Sequence, residues 1–255
     1  MTLRKIKLSP LFLLLILVTG LSGCATTQPE VSGEPAKKQL SDVVDEGDEV
    51  ALGYYDPWEG YNRWMYNFNA KFDRYIFIPT VNGYRAILPE FARKGIHNFF
   101  QNLGEFRNLA NALLQGKLKQ SGTTLSRLAV NSTLGVAGLM DPATDFGLYL
   151  QKEDFGQTLG HWGVGPGPFL ILPVLGPSTL RDAPGYLVDP IYNPIYPPFP
   201  WLVEMNTWEV MAIATLEGID TRSNIGFQYY EMGTPFEYAW VRSLWLEYRK
   251  LQIEK

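Results

Sequence analysis

The chain has 255 residues, 46% hydrophobic and 14% aromatic, with a formal charge of -4 and one cysteine. That balance lacks the basic footprint of a nucleic-acid binder, and a single cysteine excludes an internal disulfide or a zinc site built on cysteines. The two histidines, His97 and His161, stand in no HExxH or other metal-ligand spacing, so neither a metal nor a cofactor is expected.

Arg4, Lys5 and Lys7 form a basic start, and residues 11–18 are an unbroken apolar run too short to span a bilayer. Leu21-Ser22-Gly23-Cys24 follows, the arrangement of a bacterial lipoprotein signal. Residues 1–23 therefore read as a signal peptide, and Cys24 as the lipidation site, carrying a diacylglyceryl thioether and an N-acyl chain. Two such attachments make a durable anchor where one acyl chain holds weakly. Position 25 is Ala rather than the Asp commonly read as an inner-membrane retention signal, so the expected address is the periplasmic face of an outer membrane. Loss of the three cations in residues 1–23 takes the charge to -7, which argues against electrostatic docking on anionic lipid.

Residues 24–53 form an acidic, aromatic-poor linker with Asp42, Asp45, Glu46, Asp48 and Glu49. A coil of that length spans roughly 30 Å and serves as a tether. Residues 54–255 read as one mainly α domain. Asp56-Pro57-Trp58-Glu59 opens a helix as N-cap, first-turn Pro and capping Glu. Tyr61, Trp64, Met65, Phe68 and Phe72 give that helix an aromatic face suited to lie in a membrane, with Pro79 and Gly83 ending it. Further helices are expected from Pro89 toward Phe100, over 106–118 and over 123–136. Capping boxes at Asn206/Glu209 and Thr234/Glu237 open two more, lasting to about Ile219 and Leu251.

Residues 154–200 hold 10 of the 18 prolines and seven glycines, so neither long helices nor central strands are expected there. Yet residues 169–175 are strongly apolar, which marks an ordered functional loop. Lipid-exposed irregular backbone is not tolerated at membrane depth, whereas backbone lining a cavity is. Gly163, Gly165, Gly167, Phe169, Leu170 and Leu172 are therefore expected to line a cavity, and are the candidate wall or ridge of the channel that the family resemblance below implies. Asp154, Arg181, Asp182 and Asp189 flank the segment as expected ion pairs, and Ser178 reads as a helix N-cap. No G-x-S-x-G elbow is present, and Gly163-Val164-Gly165-Pro166-Gly167-Pro168 is no dinucleotide fingerprint, so catalytic residues are not expected. His161 beside Trp162 reads as a hydrogen-bonded structural histidine.

Asp56-Pro57-Trp58-Glu59-Gly60-Tyr61-Asn62-Arg63, continuing to Asn69, together with Phe155-Gly156-Gln157-Thr158-Leu159-Gly160-His161-Trp162-Gly163-Val164-Gly165 and Leu180-Arg181-Asp182, closely resembles the MlaA (VacJ) family. Asn131-Ser132-Thr133-Leu134-Gly135 and Leu216-Glu217-Gly218-Ile219-Asp220-Thr221-Arg222 extend the match over about residues 54–250. The resemblance implies a ring-like helical domain, largely within the inner leaflet of the outer membrane, associated with trimeric porins. It implies removal of stray phospholipids from the outer leaflet through an amphipathic channel to a soluble periplasmic carrier, without enzymatic activity. The rival reading is a structural, porin-docking lipoprotein that carries no lipid.

Overall fold

A computed structural model of the chain describes residues 56–195 and 205–255. Cys24, the linker and the Tyr196-Pro197-Pro198-Phe199-Pro200 motif lie outside the described residues. Helices dominate: α1 (Glu59–Phe72), a π-helical segment (Asp73–Phe77), α2 (Ile78–Ile87), α3 (Glu90–Leu114), α4 (Leu118–Thr133), α5 (Pro142–Asp145) and α6 (Phe155–His161). A hairpin of β1 (Phe169–Leu172) and β2 (Gly176–Thr179) follows, then α7 (Gly185–Val188), a 3-10 turn (Asp189–Tyr192), α8 (Thr207–Ser223) and α9 (Glu237–Glu254).

The first helix begins where the sequence places it, but for a different reason. Asp56 Oδ1 accepts from the Trp58 N–H at 3.1 Å and from Asn62 Nδ2 at 3.0 Å, while Oδ2 accepts from the Tyr238 hydroxyl and faces Arg242. Asp56 is thus a tie to α9, and Glu59 pairs with Arg63 at 2.7 Å instead of closing a capping box. Pro79 and Gly83 do not end the helix. A proline ring crowds the carbonyl four residues back, which at Pro79 belongs to Tyr75, inside the π-helical turn. Widening that turn accommodates the ring and lets the helix run on to Ile87.

Residues 90–114 form one helix rather than two segments. Gly116, at φ +72, turns the chain into α4, which packs antiparallel on α3. The surface between them is polar. Arg127 is 1% exposed and donates from Nε to Glu105 at 2.6 Å, with further bonds to Thr144, to the Leu148 carbonyl and to Asp141. Asn131 ties Asp141 at 2.8 Å and accepts from the Ala143 N–H at 3.0 Å. Burial pushes the Glu105 carboxyl up against the opposing pull of Arg127 and Asn108.

The α4 C-terminus needs its glycine for space. A Cβ at Gly135 would lie 2.4 Å from the Asn131 carbonyl oxygen and 2.5 Å from that of Met140, both backbone atoms. Gly135→Ala is therefore expected to destabilise the fold by about 1–3 kcal/mol, the usual cost of overpacking. Denaturant unfolding of the full-length protein checks this, and an unchanged midpoint would contradict it.

The hairpin is fastened by two asparagines one heptad apart on α1. Asn62 donates to the Phe169 carbonyl at 3.0 Å and accepts from the Ile171 N–H at 2.8 Å. Asn69 does the same to the Leu172 carbonyl, at 2.9 Å, and to the Val174 N–H, at 2.7 Å. An otherwise open strand edge is thereby closed. Ser178 is not a helix cap. It lies buried in β2 opposite Leu170, because the register pairs Phe169 with Thr179 and Leu172 with Gly176. The apolar cores are small: Met65, Tyr66, Phe169, Ile171 and Tyr238 form one, and Phe100, Leu103 and Ile195 another.

Of the two later capping boxes, Asn206/Glu209 forms and opens α8. The Thr234/Glu237 box does not. Glu237 is buried, and its carboxylate is taken by the Tyr66 hydroxyl and the Tyr230 and Met232 N–H groups, leaving Thr234 Oγ1 to accept weakly from the Phe236 N–H at 3.3 Å.

Candidate functional site

Polarity in this protein is turned inside out. Side chains that a water-soluble domain would bury are exposed on the long helices. Tyr61, Trp64 and Phe68 line the outer face of α1, with Trp64 62% exposed; the Tyr61 ring is tilted against Trp64, and Trp64, Phe68 and half-buried Phe72 stack in a ladder. Ile87, Phe91 and Trp208 continue the apolar surface elsewhere, each about four-fifths exposed. Met65 departs from its expected face and packs inward on Tyr66 and Phe169. Among the described residues, no helix is long and apolar enough to cross a membrane. Conversely, the buried positions of α3 and α4 include Asn102, Glu105, Asn108, Asn111, Thr124, Arg127 and Asn131. A contiguous apolar exterior marks a membrane or protein contact, and a polar interior needs hydrogen-bond partners throughout.

Within that interior is a cavity of about 450 Å³. Arg107 of α3 reaches it from one side, Glu153, Asp154 and Gln157 from the start of α6, Asp182 and Asp189 from around α7, and Arg249 from α9. The guanidinium of Arg249 holds these elements together. It clasps Asp154 at 2.7 and 2.9 Å and donates from Nε to Asp182 at 3.1 Å, while Arg181 binds Asp182 at 2.8 Å. Burial would push the Asp154 carboxyl up, but the hydrogen bonds and charge of Arg249 hold it below the ordinary range. Asp154 also caps α6 by accepting from the Gln157 N–H at 2.8 Å. A Cβ at Gly156 would lie 2.4 Å from Asp182 Oδ1, so a glycine there is what lets α6 approach the ion pairs.

The expected ion pairs thus form at Asp154, Arg181 and Asp182. Asp189 differs: it accepts from Asn111 Nδ2 at 3.0 Å and from the Phe155 N–H at 3.0 Å, and burial pushes its carboxyl up to about 6 against the pull of Arg107.

The glycine candidates lie apart from this cavity. Gly163 and Gly165 are exposed, with open space around their Cα atoms, and Gly163 sits at φ +89. Gly167, at φ +65, approaches Leu180 and, with Phe169 and Arg181, borders a second groove against α9. That groove shares Arg249 with the cavity. Phe169 itself is buried in the core, and Leu170 and Leu172 are half-buried on the other face of β1. Arg107 and Arg249 are cavity groups that no short motif marks.

His97 sits elsewhere, with Nδ1 2.7 Å from Asp220 and Nε2 2.6 Å from the Gln101 amide. Its polar partners are Asp220, Gln101 and Asn224, so no serine is paired with it. His161 is exposed rather than built into a hydrogen-bonded core.

A family model described as MlaA lipoprotein matches residues 54–252. The intermembrane phospholipid transport system lipoprotein MlaA of Escherichia coli K12 is 40% identical over 177 residues, 68% of each chain. A protein of Rickettsia bellii without a described activity is 32% identical over 203 residues, covering 78% of this chain and 77% of that one. A solved structure described as the structural basis for maintenance of bacterial outer membrane lipid asymmetry superposes with a TM-score of 0.62 at 33% identity. It covers 78% of this chain and is itself matched over its full length.

Proposed function

The chain belongs to the MlaA lipoprotein family, and from that membership we propose how it serves intermembrane phospholipid transport. It takes phospholipids that have strayed into the outer leaflet of the outer membrane and passes them through an amphipathic channel to a soluble periplasmic carrier, so maintaining lipid asymmetry.

The observation that carries this reading is the inverted polarity. An apolar exterior of aromatic helix faces, with no helix among the described residues both long and apolar enough to span a bilayer, suits a protein seated in one leaflet with acyl chains against Trp64 and Phe68. A charged interior cavity in the same domain supplies a polar path for a headgroup, which the hydrocarbon layer denies it. Passage down a gradient needs no nucleophile or metal, and the protein acts as a conduit rather than an enzyme. Acyl chains on Cys24 anchor it on the periplasmic side, trimeric porins hold it laterally, and the carrier receives the lipid.

In this reading the 156–177 segment is the channel wall or the ridge beside it. Gly165 is the position to test, because a Cβ added there meets nothing within 4 Å, so a larger side chain starts into open space. Gly165→Trp is expected to leave protein level and anchoring unchanged while removing most lipid clearance from the outer leaflet. Full clearance by the variant would take Gly165 out of the path. Gly167 is a poorer probe, since its positive φ strains any substitution.

A further inference from the structure

The cavity of about 450 Å³ is lined by two opposite charges, Arg107 and Asp189, that make no ion pair among the described residues, and by Lys152, exposed, which makes none there either. Arg249 is saturated by Asp154 and Asp182, and Glu153 by Lys117, Gln115 and Gln120. Arg107 makes no side-chain hydrogen bond among the described residues, and its Nε is buried without a partner. Among the described residues, Asp189 accepts from the neutral Asn111 amide and the Phe155 N–H and from no cation. The two charges are close enough for Arg107 to pull the Asp189 carboxyl down, yet no ion pair joins them. Gln157, 1% exposed, completes the set: its Nε2 donates to Asp154 Oδ2 at 3.1 Å, while its Oε1 is buried with nothing donating to it. Orphaned groups of this kind are costly to bury unless something in the cavity meets them.

We propose that this cavity reads the phospholipid headgroup and fits a phosphodiester bearing a primary ammonium, with Arg107 on the phosphate and Asp189 on the ammonium N–H groups. The assignment rests on the transport reading given above. A guanidinium suits phosphate oxygens, and a carboxylate suits an ammonium that carries protons. A glycerol headgroup would satisfy Arg107 and leave the Asp189 charge unmatched. A quaternary ammonium would meet the charge and offer no N–H to the Asp189 carboxylate. At neutral pH Asp189 remains largely ionised despite its burial. The volume lies within the range of small-molecule sites, about 300–1,000 Å³.

The test incubates the purified full-length lipoprotein with equimolar phosphatidylethanolamine, phosphatidylglycerol and phosphatidylcholine of matched acyl chains, and reads bound lipid by native mass spectrometry. Phosphatidylethanolamine is expected about tenfold above the other two, the value of one well-placed charged contact. Arg107→Gln should lower total bound lipid about tenfold without lowering Tm, since the side chain makes no hydrogen bond to lose. Asp189→Asn should bring the three lipids near parity while phosphatidylglycerol stays bound. Equal occupancy by all three lipids in the wild type, or a preference that survives both substitutions, would overturn the headgroup assignment and leave transport standing. Binding of no phospholipid at all would overturn the transport reading with it.

Discussion

Arg127→Met is expected to destabilise the protein by about 3–5 kcal/mol, because it strands a buried carboxylate. Arg127 and Glu105 are each no more than 1% exposed and meet at 2.6 Å, and Arg127 also bonds Thr144, the Leu148 carbonyl and Asp141. Methionine fills much of the volume, so the loss is electrostatic rather than a cavity. Domains are stable by only about 5–15 kcal/mol, so the variant should be largely depleted in cells. Denaturant unfolding of the purified full-length variant measures the loss. A second change, Glu105→Gln, should recover a large part of it by removing the stranded charge. A loss below about 1 kcal/mol, the value of an exposed ion pair, would contradict the polar-core description.

Cys24→Ala is expected to abolish acylation and release the protein from the outer membrane. Cys24 is the one thiol in the chain, and each methylene that an acyl chain buries in the bilayer contributes about 0.8 kcal/mol, so a protein acylated at that thiol would lose its anchor with it. The apolar α1 face would still favour a membrane surface, and the soluble fraction should therefore contain aggregated or chaperone-bound protein. Fractionation with intact-mass measurement reads both consequences. An acylated species that still partitions with the outer membrane would contradict the assignment of Cys24.

The helical class and most helix positions were legible from the sequence, and the failures have local physical causes. Asn206/Glu209 forms the box its spacing predicts, with Asn206 Oδ1 accepting from two N–H groups and Glu209 returning a bond at 2.9 Å. The same signal at Thr234/Glu237 fails because a buried tyrosine hydroxyl and two other backbone N–H groups claim Glu237. Pro79 stops nothing because the preceding turn widens.

The candidate cavity was less legible because an apolar periodicity normally points to the core. In this fold it often points outward, and the inward face is marked by polar residues at helical spacing. Asn62 and Asn69 on α1, Thr124, Arg127 and Asn131 on α4, and Arg242 and Arg249 on α9 all follow that rule. Arg242 and Arg249, one heptad apart on an aromatic-rich helix, were the available signal for Arg249. The partners Asp154 and Asp182, distant in sequence, could come only from the fold.

The most direct measurement of the central claim is phospholipid exposure in the outer leaflet, read by a surface-acting acyltransferase that palmitoylates lipid A, in cells lacking this gene and in the same cells complemented. Lipid removal predicts that lipid A palmitoylation rises on deletion and returns to the parental level with the wild-type gene. Unchanged palmitoylation, accompanied by mislocalised porins, would contradict lipid removal and leave a docking lipoprotein in its place.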